Sequence, residues 1–273
     1  MHPVLIDFGP FALHSYGLAM AVAFAVGIWV ATIRAKAKGF GPYFAIDISI
    51  LILIFSMIGA RATYVLTHLD EYREYPFDAI SPIQHTGKIG IEGLVLLGGV
   101  AAAFLTVYIY SRRKGHHFLS VTDLLIPPTA LGIAVGRIGC FFNGCCFGLP
   151  THQPWCVHFP KGSLAAYIFP HECIHPTQIY ETGYALVIFA GLMLYDRRPR
   201  PTGVVTGLFL LLYGIGRYFN EQLRWYEHEM VLIQTSGFRL TFSQVISIAM
   251  ILLGILLLLT VRRRTSPKEE PAP

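Results

Sequence analysis

Residues 136–148 read Gly-Arg-Ile-Gly-Cys-Phe-Phe-Asn-Gly-Cys-Cys-Phe-Gly and lie at the end of the apolar run Val121–Phe142. About 20 apolar residues cross the hydrocarbon core of a bilayer, so the run predicts a membrane-spanning helix. An arginine at the centre of such a helix costs about 2.5–3.5 kcal/mol on insertion scales, and Arg137 therefore indicates a functional site. The alternative is that Arg137 only extends its side chain from the helix end to the phosphate layer.

The composition of the whole chain is typical of an integral membrane protein. Of its 273 residues, 54% are hydrophobic and 14% are charged, whereas soluble domains carry about 25% charged residues. The formal charge of +5 is not gathered on one basic domain, which argues against nucleic-acid binding. Lysines follow the first apolar run rather than precede it, so we expect no cleavable signal peptide.

Seven apolar runs predict an all-α, polytopic membrane fold with about seven transmembrane helices. They are Tyr16–Ile33, Ala45–Leu66, Ile91–Tyr110, Val121–Phe142, Ile179–Tyr195, Gly203–Asn220 and Ser243–Val261. A cluster of Lys and Arg follows the first, third, fifth and seventh runs. Because short cytoplasmic loops are enriched in these residues, we predict an outside N-terminus and a cytoplasmic C-terminus.

The same pattern predicts one domain rather than several. We expect a single integral-membrane domain over residues 1–264, with outward-facing loops at residues 67–90, 143–178 and 221–242. Residues 265–273 are polar and contain proline, which predicts a disordered cytoplasmic tail. No internal repeat of the kind found in transporters is visible.

Ionisable residues gather toward the predicted outer ends of the runs. They are Arg61, Arg137, Glu181, Arg217 and Glu221, and Tyr213 and Arg224 are spaced to share a helix face with the last two. Few acids accompany these arginines, which predicts an anionic ligand, and guanidinium groups bind phosphate through paired contacts. At the outer leaflet that anion would be a phospholipid headgroup. The alternative is a structural ion pair between Arg217 and Glu221.

Histidines and cysteines in residues 143–178 raise the possibility of a metal site. His171 and His175 are four residues apart, but Pro176 follows at once and the cysteine spacings fit no standard zinc pattern. We therefore predict no metal. No Ser or Cys shows a recognisable neighbouring base, so in an enzyme the attacking group would come from a substrate.

The five cysteines receive two interpretations. A disulfide between Cys156 and Cys173 is possible, because the predicted topology places them in an oxidising compartment. Cys140, Cys145 and Cys146 lie near a span end and are interpreted as small packing residues, since unpaired cysteine behaves as a small hydrophobe.

Several motifs together carry a family resemblance. Residues 13–18 read Leu-His-Ser-Tyr-Gly-Leu, residues 59–64 read Gly-Ala-Arg-Ala-Thr-Tyr and residues 175–181 read His-Pro-Thr-Gln-Ile-Tyr-Glu. With residues 136–148, and with Tyr213, Arg217, Glu221 and Arg224 in the sixth run, they cover nearly the full length. In these motifs the chain resembles the bacterial prolipoprotein diacylglyceryl transferases.

The resemblance implies a definite reaction. Such enzymes move the diacylglyceryl group of phosphatidylglycerol to the lipobox cysteine thiol of a preprolipoprotein, forming a thioether and releasing glycerol phosphate. The expected partners are thus phosphatidylglycerol, lipobox signal peptides and the bilayer, with no cofactor and a multi-pass location in the bacterial inner membrane. The resemblance implies catalytic roles for Arg137, Arg217 and Glu221. It further implies that phosphatidylglycerol is bound by Arg137, Tyr16, Asn143, Gly148, Tyr213, Arg224 and His175.

Three positions depart from the family pattern. Leu97 stands where the family often has a histidine proposed as the base, and Cys140 and Cys145 replace an Asn and a Glu. The thiol proton would then pass to Glu92, His14 or His175, or the arginines would lower the thiol pKa. The departures leave open a paralogue with another acceptor, or a non-catalytic phospholipid-binding membrane protein.

Overall fold

The structure is a computed structural model that describes residues 4–7, 12–72, 77, 93, 95–160, 162–226, 231–235 and 238–265. Helices dominate these residues. They are α1 (Ser15–Ala37), α2 (Phe44–Thr67), α3 (Leu69–Tyr72), α4 (Leu96–Arg113), α5 (Phe118–Asn143), α6 (Leu164–Ile168), α7 (Thr177–Tyr195), α8 (Val204–Gln222) and α9 (Phe242–Thr265). The strands are β1 (Val4–Asp7), β2 (Ala12–His14), β3 (Val231–Thr235) and β4 (Phe238–Thr241).

The predicted helical architecture, all-α in class, is confirmed. Two small antiparallel hairpins accompany the helices: β1 pairs with β2, and β3 pairs with β4. Each pairing ends directly at a long helix, α1 or α9. The hairpins lie outside the seven apolar runs. The prediction was based on those runs and therefore did not include the strands.

Each of the seven predicted runs contains a long helix, but the third begins later than predicted. Its helix α4 starts at Leu96, whereas the predicted start, Ile91, lies outside the described residues. Gly93 has a φ of 75°, and Val95 is extended. Neither conformation is helical, so the described backbone before Leu96 does not belong to the helix. The apolar pattern alone did not contain that information.

Among the described residues, four helices are long and apolar enough to cross a membrane, which is typical of a membrane protein. They are α1, α2, α5 and residues 242–263 of α9. Helices α7 and α8 have 19 residues each, or about 28 Å at 1.5 Å per residue. Both carry charged residues, among them Glu181, Arg217 and Glu221, and these lower their mean hydropathy.

The chain folds into two compact units. One comprises Met1–Val30 with Thr122–Pro273, and the other comprises Ala31–Val121. In the second unit α2 and α4 pack closely: a Cβ on Gly98 would lie 2.6 Å from the Gly59 carbonyl oxygen. Small residues of this kind let membrane helices approach backbone to backbone.

The first unit holds its helices together by similar means. A Cβ on Gly254 of α9 would lie 2.8 Å from the carbonyl oxygen of Gly207 in α8. The start of α8 is fixed by buried Asp123 of α5, whose carboxylate accepts hydrogen bonds from the Gly203 and Thr206 backbone amides at 2.6 and 2.8 Å. A carboxylate at a helix N-terminus satisfies amides that lack an intrahelical partner. Helix α8 is therefore anchored to α5.

Candidate functional site

A buried carboxylate, Glu181, joins three helices of the first unit. It lies near the start of α7 and is 1% exposed. Its Oε1 forms an ion pair with Arg137 Nε of α5 at 3.0 Å and accepts a hydrogen bond from the Tyr213 hydroxyl of α8 at 2.7 Å. Its Oε2 accepts from Arg217 Nη1 at 2.6 Å and from Asn220 Nδ2 at 3.4 Å. Removing one partner from such a buried set leaves an uncompensated charge, so the set fixes α5, α7 and α8 together.

A second buried carboxylate, Glu221, extends the network toward the end of α8. Its Oε1 contacts Arg217 Nη2 and lies 3.4 Å from Arg224 Nη1. The predicted contact between Arg217 and Glu221 is thus confirmed. Arg224 lies beyond the end of α8, not on its face as the spacing predicted, and its guanidinium stacks 4.7 Å from the Tyr226 ring centroid.

The network corrects the expectation that few acids accompany the arginines. Three arginines, at positions 137, 217 and 224, meet the two carboxylates of Glu181 and Glu221. The local formal charge is therefore +1. The cluster is therefore not an array of unpaired positive charges. Its net charge suits the binding of one monoanion, such as a phosphodiester.

The arginines differ in how many of their donors are in use. Arg217 bonds through both terminal nitrogens, to Glu181, Glu221 and Tyr226. Arg137 is the most exposed of the three, with 20% of its side chain accessible, and it meets Glu181 through Nε. Within the described part of the chain, its Nη1 and Nη2 donate no hydrogen bond. Arg137 can thus present a planar pair of donors to an anion.

The start of α7 also braces the turn that follows α5. Thr177 Oγ1 donates to the Cys146 carbonyl at 2.8 Å, and Gln178 Nε2 donates to the Cys145 carbonyl at 2.7 Å. Gln178 is 1% exposed, and Thr177 is buried as well. The motif of residues 175–181 thus supplies Glu181 at one end and fixes the residues after Asn143 at the other.

Backbone contacts around Gly148 position Arg224. The Gly148 amide donates to the His175 carbonyl at 3.0 Å, and the Leu149 amide donates to the Leu223 carbonyl at 2.8 Å. Gly148 itself forms an isolated antiparallel bridge with Arg224. Three chain segments therefore meet at Gly148, and the absence of a side chain there is required by their close approach.

Replacing Gly148 with alanine is expected to destabilise the protein by about 1–3 kcal/mol, as overpacking does. The new Cβ would lie 2.6 Å from the His175 Cβ and 2.7 Å from the Leu223 carbonyl oxygen. The measurement is thermal unfolding of the detergent-solubilised protein. Gly183→Ala is the matched control, because a Cβ added to that helical glycine meets nothing within 4 Å. Equal midpoints for the two variants would contradict this account of Gly148.

The structure places the other predicted binding residues as follows. Tyr16, at the start of α1, is 42% exposed and lies beside Gly139 of α5. Asn143 is the last residue of α5 and is half-buried. The Tyr213 hydroxyl, expected to face a ligand, donates to Glu181.

The three candidate proton acceptors differ in their surroundings. Glu92 lies outside the described residues, and His14 is exposed. His175 is half-buried, with Nδ1 3.1 Å from the Tyr180 hydroxyl. Burial lowers the pKa of His175 below its usual range, so its ring is neutral at pH 7 and can accept a proton. Leu97, at the position of the family's histidine, is 47% exposed in the first turn of α4.

The cysteines form two groups. Cys156 and Cys173 are joined by a disulfide with a Cα–Cα distance of 5.5 Å, which confirms that interpretation. Cys140, Cys145 and Cys146 are free thiols whose sulfur atoms all lie within 4.8 Å of one another. The interpretation of these three as separate packing residues missed their convergence.

Glu181 is central to the network, although the sequence did not predict a role for it. The sequence identifies it as an ionisable residue in an apolar run and as the last residue of the motif 175–181, but assigns it no role. A buried acid in a membrane helix requires a partner, and that requirement is the available signal. Asn220 and Tyr226, which also contact the network, carry no such signal.

Comparisons of the sequence with known proteins give one consistent family. A family model described as prolipoprotein diacylglyceryl transferase matches residues 3–260. A phosphatidylglycerol–prolipoprotein diacylglyceryl transferase from a Nostoc species is 34% identical over 278 residues, covering 99% of this chain and 93% of the relative. Proteins of the same name from Photorhabdus laumondii and Parasynechococcus marenigrum are each 33% identical, covering 94% and 81% of this chain and 91% and 80% of the relatives.

Proposed function

Because the chain belongs to the prolipoprotein diacylglyceryl transferase family, we propose that it transfers the diacylglyceryl group of phosphatidylglycerol to the lipobox cysteine thiol of preprolipoproteins. In this reaction a sulfur–carbon bond forms at the glycerol carbon next to the phosphate. The carbon–oxygen bond to that phosphate breaks, glycerol phosphate leaves and the thiol loses its proton. The product is a thioether-linked lipid.

The open guanidinium of Arg137 is the observation that carries this proposal. Its Nε is fixed by Glu181, so the side chain is held in place before a ligand arrives. Among the described residues its two terminal nitrogens have no hydrogen-bond partner, and their fork matches two oxygens of a phosphodiester. The negative charge on that phosphate grows as the carbon–oxygen bond breaks, and a fixed donor pair stabilises the growing charge.

Arg217 and Glu221 support Arg137 in this proposal. Arg217 shares Glu181 with Arg137, so its position sets the orientation of the carboxylate that holds Arg137. Glu221 in turn holds Arg217 and Arg224 through one oxygen atom. The three arginines and two glutamates together carry a formal charge of +1, which favours both the phosphodiester and the leaving glycerol phosphate.

The remaining predicted residues would position the lipid. Tyr16 and Asn143 lie at the start of α1 and the end of α5, and their hydroxyl and amide groups are proposed to contact glycerol oxygens. Gly148 and His175 contribute the backbone that places Arg224. Tyr213 acts through Glu181. The proposed reaction uses these residues without a cofactor.

The thiolate of the lipobox cysteine is the nucleophile, so its deprotonation is part of the reaction. Two features of the described residues favour it. The neutral ring of His175 can accept a proton, and the positive charge of the arginine network stabilises an approaching thiolate. Leu97, which stands where the family often has a histidine, cannot accept the thiol proton.

The topology proposed with this function has seven membrane-spanning helices, an outside N-terminus and a cytoplasmic C-terminus in the bacterial inner membrane. Support comes from the seven long helices among the described residues and from the basic clusters at or just beyond the C-terminal ends of α1, α4, α7 and α9. We also propose that residues 1–264 act as one domain, with the loops 67–90, 143–178 and 221–242 outside and 265–273 as a cytoplasmic tail.

Genetic rescue tests the proposed function. In a bacterial strain depleted of its own diacylglyceryl transferase, expression of this chain should restore growth and restore the diacylglyceryl modification of a tagged lipoprotein, detected by mass spectrometry. Phosphatidylglycerol consumption without lipoprotein modification would indicate another acceptor. Neither rescue nor lipid consumption, with the protein correctly inserted, would indicate a non-catalytic lipid-binding protein.

A further inference from the structure

Three thiols converge where α5 ends. Cys140 lies in the last turn of that helix and is 8% exposed, whereas Cys145 and Cys146 follow the helix and are half-buried. Their sulfur atoms all lie within 4.8 Å of one another. Sulfur atoms bound to one zinc ion at about 2.3 Å are separated by roughly 3.8–4.0 Å. The three thiols therefore need only small movements to share one ion.

The backbone holds this arrangement in place without a ligand. The Gly144 and Cys145 amides donate to the Phe141 and Cys140 carbonyls at 3.2 and 3.1 Å, closing the end of α5. Gly144 and Cys146 have positive φ values of 73° and 61°, which turn the chain back toward the helix. A non-glycine residue with positive φ is uncommon. Its presence at Cys146 shows that the turn is imposed by its surroundings.

Side chains from α7 supply those surroundings. Thr177 and Gln178 donate to the carbonyl oxygens of Cys146 and Cys145, respectively. The side chain of Gln178 is almost fully buried, and its Oε1 accepts no hydrogen bond from the described residues. The cysteine turn is therefore built into the same buried scaffold that holds Glu181.

The charge of the neighbourhood suits a metal–thiolate centre. Arg137 lies three residues before Cys140 on α5, and Gly148, two residues after Cys146, forms a bridge with Arg224. Three thiolates and one divalent cation carry a net charge of −1, and three thiolates with one monovalent cation carry −2. The nearby guanidinium groups offset either charge. Soft sulfur ligands select Cu⁺ and Zn²⁺ over hard cations such as Mg²⁺ and Ca²⁺.

We propose that Cys140, Cys145 and Cys146 form a binding site for one soft, filled-shell metal cation of the Zn²⁺ or Cu⁺ class. Binding releases one proton from each thiol and forms three metal–sulfur bonds, with no change in oxidation state. The ion enters the site from the side of Cys145 and Cys146, which are more accessible than Cys140. The ligand spacing differs from that of standard zinc sites. Cys145 and Cys146 are adjacent in the sequence, and Cys140 lies in the last turn of the preceding helix, α5.

The test is metal binding to the detergent-solubilised full chain, with Cys140, Cys145 and Cys146 reduced and the Cys156–Cys173 disulfide intact, and with neither lipid nor peptide substrate added. Zn²⁺, Cu⁺ and Cd²⁺ are titrated separately. The bound metal is quantified by elemental mass spectrometry, and Cd²⁺ binding is also followed by the thiolate-to-metal charge-transfer absorption. We expect saturation at one ion per chain. Saturation by Zn²⁺ or by Cu⁺ alone would identify which of the two cations the site prefers.

Variants then locate the site. Cys145→Ser and Cys146→Ser are each expected to weaken binding by at least about 100-fold, more than the loss of an outer-shell partner. His171→Ala, in an exposed position of the same loop, is the control and should bind like the original chain. On the unaltered chain, bound Cd²⁺ should protect Cys145 and Cys146 from alkylation.

Three results would overturn the proposal: no saturable uptake by the chain with Cys140, Cys145 and Cys146 reduced, full-affinity binding by Cys145→Ser, or a disulfide between two of these cysteines in peptide maps of the native protein. Since no lipid or lipobox peptide takes part in the binding experiment, its failure and a failure of the proposed transferase activity are distinguishable. Metal uptake without lipid transfer, and lipid transfer without metal uptake, are separate outcomes.

Discussion

Arg137→Ala should lower the rate of diacylglyceryl transfer by about 10²–10³-fold, the effect of removing one oxyanion donor, while the protein still inserts into the membrane. Arg137 has both terminal nitrogens available among the described residues and is held in position through Nε. Arg217 cannot replace it, because that guanidinium is bonded to two carboxylates. The measurement is the initial rate of lipid transfer to a lipobox peptide in proteoliposomes.

Two further variants make this result specific. Arg137→Lys keeps the charge but loses the planar fork, and it should remain strongly impaired. Arg263→Ala removes a solvent-exposed arginine at the end of α9 and should transfer at the original rate. Near-normal turnover by Arg137→Ala would show that Arg137 only reaches toward the phosphate layer of the membrane.

Glu181→Gln should cost both stability and activity. The variant retains the shape of the side chain but leaves Arg137 and Arg217 without their shared buried carboxylate. Breaking a buried ion pair by removing one partner costs about 3–5 kcal/mol. The thermal unfolding midpoint in detergent should fall clearly, and transfer should decrease because the Arg137 fork loses its fixed orientation.

Glu172→Gln is the matched control for this change. Glu172 is exposed in the loop that follows α6, so its neutralisation should alter neither the midpoint nor the transfer rate. If Glu181→Gln had the same unfolding midpoint and the same transfer rate as Glu172→Gln, the Glu181 carboxylate would not be the centre of the network.

Much of the fold follows from the sequence because apolar run length determines where a membrane helix can form. The third run shows the limit of that rule, since Gly93 is left-handed and Val95 is extended, so neither belongs to α4, which starts at Leu96. The β1–β2 and β3–β4 hairpins show another limit. Short strands depend on pairing between neighbouring segments, and no apolar periodicity records that pairing.

The same distinction between local and long-range information explains the site. The contact between Arg217 and Glu221 is predictable because the two residues lie one turn apart on one helix. The bonds from Glu181 to Arg137 and Arg217 cross between separate helices, and their geometry depends on how α5, α7 and α8 pack. Spacing alone places Arg224 on the α8 face, whereas the helix ends at Gln222.

The cysteines illustrate how backbone conformation hides a site from the sequence. Cys140 and Cys145 are five residues apart and would not share a helix face. The helix ends between them, and the positive φ values of Gly144 and Cys146 bring the three sulfur atoms together. Ligand spacing in the sequence cannot reveal that convergence.

The most direct test of the central claim is a transfer assay with the purified chain. Proteoliposomes containing phosphatidylglycerol are incubated with a lipobox peptide, and the peptide mass and the released glycerol phosphate are measured together. The account predicts a peptide heavier by one diacylglyceryl group, an equal amount of glycerol phosphate, and neither product when serine replaces the peptide cysteine. An unmodified peptide in the presence of correctly inserted protein would contradict it.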